Sequence, residues 1–151
     1  MVLAEGHELM RRSLALLLEH DAAVELVAEA PDLDSAVRSV LATRPDVLAL
    51  DLGLPDGSSL EAIDGLRERA PGTRIVALTM NDDAVFAKGA LAAGARGFVL
   101  KQLADEELPR AVDAVARGEE YISPRVAGRL ARLRAPAIPE DAAREASVQR
   151  R

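Results

Sequence analysis

Short apolar runs with β-branched residues alternate along the chain with longer segments of helical period. Val2–Ala4 predicts a short strand that ends at Glu5. Glu8–His20 places Leu9, Leu14, Leu16, Leu17 and Leu18 on a broad apolar face and predicts a helix. Val24–Ala28 predicts a second strand. Asp32–Thr43 predicts a helix capped by Asp32 or Asp34, with Leu33, Val37, Val40 and Leu41 inward, and Pro45 ends it. Val47–Leu50 is a continuous apolar run that meets Asp51, followed by a turn-rich loop containing Gly53, Pro55, Asp56 and Gly57. Ser58 or Ser59 caps the next helix, which runs to Ala70 with Leu60, Ile63 and Leu66 at core spacing. Arg74–Leu78 is a fourth strand ending at Thr79. Asn81 or Asp82 caps an alanine-rich helix that Gly94 closes. Gly97–Leu100 is a fifth strand ending at Lys101, Asp105–Arg117 a fifth helix stopped by Gly118, and Pro124–Leu133 a further short helix.

Strands that are apolar without alternation are buried on both faces, which implies a parallel sheet with helices on either side. Right-handed crossovers then give an α/β, flavodoxin-like, doubly wound five-stranded sheet of order 2-1-3-4-5 flanked by five helices. Function in such folds sits beyond the carboxyl ends of the strands. The expected organisation is one domain over residues 1–122, an extra helix over 123–134, and a linker or disordered tail over 135–151, where Pro136 and Pro139 interrupt an Ala- and Arg-rich stretch.

Composition narrows the chemistry. The chain of 151 residues has no cysteine, which excludes disulfide scaffolds, thiolate metal sites and cysteine nucleophiles. Two Phe and one Tyr leave too few aromatics for base stacking or flavin stacking. A net charge of −6 argues against a whole-chain nucleic-acid or membrane surface. The charge divides unevenly. Residues 1–124 hold 12 basic against 22 acidic residues, and residues 125–151 hold 7 against 3. Arg125, Arg129 and Arg132 share one side of the last helix, where a solvated or intramolecularly paired face is favoured over DNA contact. The sequence carries no leader pattern and no apolar run near the roughly 20 residues of a membrane span, so a cytoplasmic protein is expected.

Polar groups gather at one edge of the expected sheet. Glu5, Asp51, Thr79 and Lys101 each follow the carboxyl end of a different strand. Taken singly, Thr79 could be a helix cap, Asp51 a turn carboxylate and Lys101 a surface lysine. Taken together they suit phosphoryl chemistry at a carboxylate. A carboxylate can accept a phosphoryl group. A Mg²⁺ ion held by carboxylates, a carbonyl and waters would offset the charge. A hydroxyl and an ammonium can bind the phosphoryl oxygens. No nucleotide-binding glycine loop is present. His7 reads as the start of a helix, and the acids Asp105, Glu106 and Glu107 suit the positive end of a helix dipole.

The segments VLAEGHELMRRSLALLLE, RPDVLALDLGLPDGSSLEAI, TRIVALTMNDD, AAGARGFVLK and GEEYISPRVAGRL resemble, in order and spacing, the CheY-like receiver domain of bacterial two-component response regulators, most closely the NarL/FixJ branch, over residues 2–134. The resemblance implies Asp51 as phosphoacceptor, Thr79 as switch hydroxyl, Lys101 as the phosphoryl-pairing lysine and Phe98 as the aromatic switch residue. It implies Glu5, Asp51 and the Gly53 carbonyl as metal ligands. It departs from the family at Glu5-Gly6-His7, where Asp-Asp-His is usual, so that Gly6 stands for an acid that binds Mg²⁺ and the ion is expected to bind weakly or not at all. The implied partners are a histidine kinase or other signalling protein, a second copy in a homodimer, and DNA through a helix-turn-helix output domain outside this chain. The implied role is phosphorelay signalling and transcription control, not enzymatic turnover. The alternative is a phosphorylation-independent binding module switched by a ligand or partner. A hydrolase using Asp56 as an added acid fits the loop pattern less well.

Overall fold

The computed structural model describes residues 1–134. Its elements are β1 (Val2–Ala4), α1 (Glu8–Glu19), β2 (Ala28–Ala30), α2 (Leu33–Thr43), β3 (Val47–Asp51), α3 (Ser59–Arg69), β4 (Arg74–Thr79), α4 (Ala84–Ala93), β5 (Gly97–Leu100), α5 (Ala104–Ala116), β6 (Tyr121–Ile122) and α6 (Pro124–Arg134). A single 3-10 turn, Lys101–Leu103, joins β5 to α5. The sheet order is β2-β1-β3-β4-β5-β6, with every pair parallel. The flavodoxin-like class holds, with one more strand than the sequence pattern shows. The expected linker over residues 135–151 lies outside the described residues. No helix among the described residues is long and apolar enough to cross a membrane.

Each central strand serves two cores. Val2, Ala4, Leu48, Leu50, Ile75, Ala77, Phe98 and Leu100 pack with α2, α3 and α4. Leu3, Val47, Ala49, Val76, Leu78 and Val99 pack with α1 and α5 on the opposite face. Because successive side chains point to opposite faces, a strand covered on both sides must be apolar throughout. That is why the runs at β1, β3, β4 and β5 carry no alternation.

The edges and surfaces depart from expectation. The second strand is Ala28–Ala30, not Val24–Ala28. A three-residue β1 offers only a short ladder, paired Val2↔Ala28 through Ala4↔Ala30, and Val24 and Leu26 pack against the α1/α5 core instead of pairing. On α1 the buried residues are Leu14, Ala15 and Leu18, while Leu9 and Leu16 are exposed. At 100° per residue, Leu9 and Leu16 align with each other and not with Leu14 and Leu18. Asp32 caps α2 and Ser58 caps α3, within the expected choices, but Asp83 and not Asn81 or Asp82 caps α4. His7 caps α1, its ring accepting from the Met10 N–H.

Glu107 does more than favour a helix dipole. It is buried, and its carboxylate accepts the Tyr121 hydroxyl (3.1 Å) on one oxygen and the Ser123 hydroxyl (3.0 Å) on the other. This clasp ties β6 to α5. Burial, followed by the bond to Glu107, pushes the Tyr121 phenol up to about 12. Folding therefore favours the neutral phenol. That contribution is complete below the ordinary pKa of about 10 and is lost as pH rises through the folded value. With one tyrosine and no tryptophan, phenolate absorbance reads Tyr121 alone. Glu107→Gln is expected to move its midpoint down toward the ordinary value; a wild-type midpoint already there would mean that the clasp does not form in solution.

Candidate functional site

The carboxyl edge of the sheet carries four residues at four strand ends, and three of them, Glu5, Asp51 and Lys101, meet there. Glu5 follows β1 and is 0% exposed, while Asp51 ends β3 and Thr79 ends β4, both buried. Lys101 follows β5, with its side chain 13% exposed. Its Nζ lies 2.8 Å from Asp51 Oδ1 and 3.0 Å from each oxygen of Glu5. One ammonium thus bridges two carboxylates, one of them 96 positions away in sequence. This arrangement follows from chain topology: β1 and β3 are neighbours, and the parallel order sends every strand end to the same side. Thr79 stands one residue beyond Leu78, the β4 partner of Asp51.

The two oxygens of Asp51 differ. Oδ1 accepts the Gly53 N–H at 2.8 Å in addition to pairing with Lys101. Among the described residues Oδ2 accepts a single long 3.3 Å bond, from the Gly6 N–H. Glu5 Oε1 accepts the His7 N–H at 3.0 Å. Glu5 Oε2 touches Lys101 Nζ as an ion pair but takes no hydrogen bond among the described residues, although it is fully buried. Two carboxylate oxygens with spare lone pairs therefore face the pocket, and each is only partly compensated.

Position 6 looks into this pocket. A Cβ built on Gly6 would stand 3.8 Å from Asp51 Oδ2 and 3.3 Å from a Leu54 methyl. An acidic side chain there would reach the same space as Asp51, and glycine supplies no oxygen to it. Among the described residues no group of three or more acids or histidines could hold a metal ion. Mg²⁺ asks for six oxygens in near-octahedral array and keeps several waters. The oxygens of Glu5 and Asp51 supply part of such a donor set, and the Lys101 ammonium already pairs with both carboxylates.

Three residues support the site in ways the sequence pattern does not show, Ser59 and Asn81 being expected there only as helix caps. Arg11 donates to the Glu5 carbonyl (3.0 Å) and lies 3.9 Å from Glu29, fixing the end of β1. Ser59, buried, donates its hydroxyl to the Asp51 carbonyl at 3.1 Å. Asn81 donates its N–H to the Thr79 hydroxyl at 3.0 Å. Their signal was their distance from a strand end: one helical turn into α1, the first turn of α3, and two residues past β4. Phe98 is fully buried in the α2–α4 core. Asp56 is not an added acid at the site. It accepts the Leu33 and Asp34 N–H groups at 2.7 and 3.0 Å, and these bonds hold its carboxyl below the usual range. Its carboxylate ties the β3–α3 loop to the start of α2. Arg129 pairs with Asp82 at 3.4 Å, in keeping with an intramolecular role for that basic face.

Residues 1–113 match the family model described as the response regulator receiver domain. The oxygen regulatory protein NreC of Staphylococcus epidermidis is 41% identical over 123 residues, covering 81% of this chain and 56% of that protein. The chain therefore spans a little over half the length of this curated relative. A LuxR-family two-component response regulator from Aurantimonas superposes with a TM-score of 0.83 at 33% identity, over 89% of this chain and 96% of the other. The isolated receiver domain of RcsB from Salmonella enterica serovar Typhimurium, solved with the phosphomimetic BeF₃⁻, superposes with a TM-score of 0.78 at 27% identity, over 85% and 95%.

Proposed function

From the premise that this chain belongs to the response regulator receiver domain family, we propose that it accepts a phosphoryl group on Asp51 and passes that state to a transcription-controlling output domain. The observation that carries this reading is the Lys101 ammonium, 2.8 Å from Asp51 and 3.0 Å from Glu5 at the carboxyl edge. Asp51 Oδ2, the less engaged oxygen, attacks phosphorus as the bond to the donor's leaving group breaks. Lys101 pairs with the charge that develops on the phosphoryl oxygens, and the Thr79 hydroxyl turns from the Asn81 N–H to donate to one of them. Glu5, Asp51 and the Gly53 carbonyl would hold Mg²⁺, which supplies further charge neutralisation when bound. With Gly6 in place of an acid, that ion is weakly held. Phe98 is the aromatic residue that follows Thr79 between the two states. A histidine kinase, a second copy of the chain and DNA bound through the output domain are the partners this reading implies, in the cytoplasm, with signalling rather than enzymatic turnover as the role.

The missing acid favours a second reading, a module of the same fold that responds to a partner or ligand without phosphorylation. Acetyl phosphate with Mg²⁺, followed by intact mass, separates the two. The first expects a partial gain of one phosphoryl group that Asp51→Asn abolishes and Gly6→Asp increases. Complete modification of the wild type at low Mg²⁺ would overturn the weak metal site. No gain in either the wild type or Gly6→Asp would leave the second reading standing.

A further inference from the structure

The opposite edge of the sheet, where the strands begin and the helices end, gathers arginines. Arg74 opens β4, Arg96 directly precedes β5, and Arg67 stands in the last turn of α3. All three line one cleft of about 220 Å³, and none of the residues described there is acidic. Gly94, which closes α4 at a φ of 128°, lets the Arg67 stem lie against the turn: a Cβ built on it would stand 3.1 Å from Arg67 Cδ.

Each guanidinium is held by a carbonyl at a helix end. Arg67 donates to the Ala92 carbonyl of α4 (3.5 Å), Arg74 to the Ala116 carbonyl of α5 (3.2 Å) and Arg96 to the Gly118 carbonyl just past it (3.0 Å). Arg74 and Arg96 thus meet at one turn, and a Cβ built on Gly118 would lie 4.0 Å from Arg74 Nη2. Capping of helix carboxyl ends accounts for one N–H of each group. A guanidinium has five, in a planar fork. Capping does not account for the charge. Among the described residues neither Arg74 nor Arg96 pairs with a carboxylate. Asp113 and Glu119 are engaged by Arg117 at 3.3 and 3.5 Å, and Asp64 by Arg67 at 2.7 Å.

We propose that Arg67, Arg74 and Arg96 form an oxyanion site that takes a phosphate group, at the edge of the sheet remote from Asp51. Cations gathered around a cleft repel one another, and an oxyanion between them removes that cost. The guanidinium fork matches phosphate oxygens two at a time. The cleft is smaller than the roughly 300–1,000 Å³ of sites for drug-sized ligands, so it suits a phosphate group and not the body of a larger molecule. That group is inorganic phosphate or the monoester end of a larger molecule. Once bound, it ties the starts of β4 and β5 to the end of α3. The site stands independently of phosphoryl acceptance at Asp51.

Backbone amide spectra of the full chain, recorded as inorganic phosphate replaces chloride at fixed ionic strength without Mg²⁺, test this. The Gly94, Arg96 and Gly118 signals are expected to move and to saturate with a Kd of about 1 mM or below. Arg96→Gln is expected to weaken binding at least about tenfold. Arg67→Gln is expected to weaken it as well, and its exposed pair with Asp64 contributes little to folding, so this variant keeps the fold. Phosphate is expected to raise the melting midpoint of the wild type and not that of the variants. Arginines that act as helix caps alone would lower the midpoint equally with and without phosphate, and that result would overturn the site. Glycerol phosphate separates the two sources. Equal or weaker binding identifies free phosphate, and tighter binding identifies a phosphate carried on a larger molecule. Shifts that do not saturate, or affinity unchanged in both variants, would overturn the site. Movement confined to Gly6 and Gly53 would place the anion beside Asp51 and overturn it too.

Discussion

Lys101→Met is expected to lower the unfolding free energy by about 3 kcal/mol, the range for removing one partner of a buried ion pair. Methionine keeps most of the volume of the side chain, so packing changes little. What changes is the charge balance. Glu5 is fully buried and Asp51 nearly so, and Lys101 is their shared cation at 2.8–3.0 Å. Without it, Glu5 Oε2 has no partner among the described residues, where its one contact is with Lys101. The side chain of Lys101 is 13% exposed, so water will recover part of the loss, and the figure is an upper estimate. Urea denaturation checks it. The double variant Glu5→Gln/Lys101→Met should recover more than half of the loss, since the fully buried charge is then gone. A loss under about 1 kcal/mol in Lys101→Met would place the bridge in the class of surface pairs.

Gly6→Asp is expected to raise Mg²⁺ affinity at least about tenfold, equivalent to 1.4 kcal/mol. A Cβ at position 6 stands 3.8 Å from Asp51 Oδ2, so the new carboxylate shares the space in front of it. The neighbouring Leu54 methyl at 3.3 Å must give by a few tenths of an ångström. The same change should destabilise the metal-free protein by about 1 kcal/mol, because a third acid joins two that share one ammonium. The two effects have opposite signs. In chelator the variant melts below the wild type, and with rising Mg²⁺ it gains stability by the usual binding linkage and crosses it. Equal Mg²⁺ affinity in the two proteins, by calorimetry, would show that position 6 does not face the ion and would remove the assignment of Glu5, Asp51 and Gly53 as its ligands.

Most of the interior was legible in the residues because the central strands answer to a local rule. A strand covered on both faces is apolar at every position, and β1, β3, β4 and β5 meet that condition within a residue or so of where the pattern placed them. The edge strands do not answer to it. β2 extends only as far as its neighbour offers a ladder, which moved it from Val24–Ala28 to Ala28–Ala30. β6 is two residues long and is defined by pairing with Gly97 and Phe98, a relation across more than 20 positions that no local pattern records. The buried stripe of α1 is narrower than the leucine pattern predicts, because five leucines in ten residues satisfy several helical faces at once and the sheet selects the one with Leu14 and Leu18.

The pocket divides in the same way. Sequence alone determined that Glu5, Asp51, Thr79 and Lys101 follow four strands of a parallel sheet, and a parallel order leaves their side chains one edge to share. It determined as well that position 6 lacks an acid. Tertiary structure decided how those groups spend their charges. Lys101 reaches both Glu5 and Asp51, Asp56 leaves the site to cap α2, Glu107 turns inward to clasp β6, and α6 closes on the loop beyond Thr79. Periodicity fixes the face and the end of an element from which a side chain departs. Which partner it meets there depends on distances between chain segments far apart in sequence, and only packing sets those.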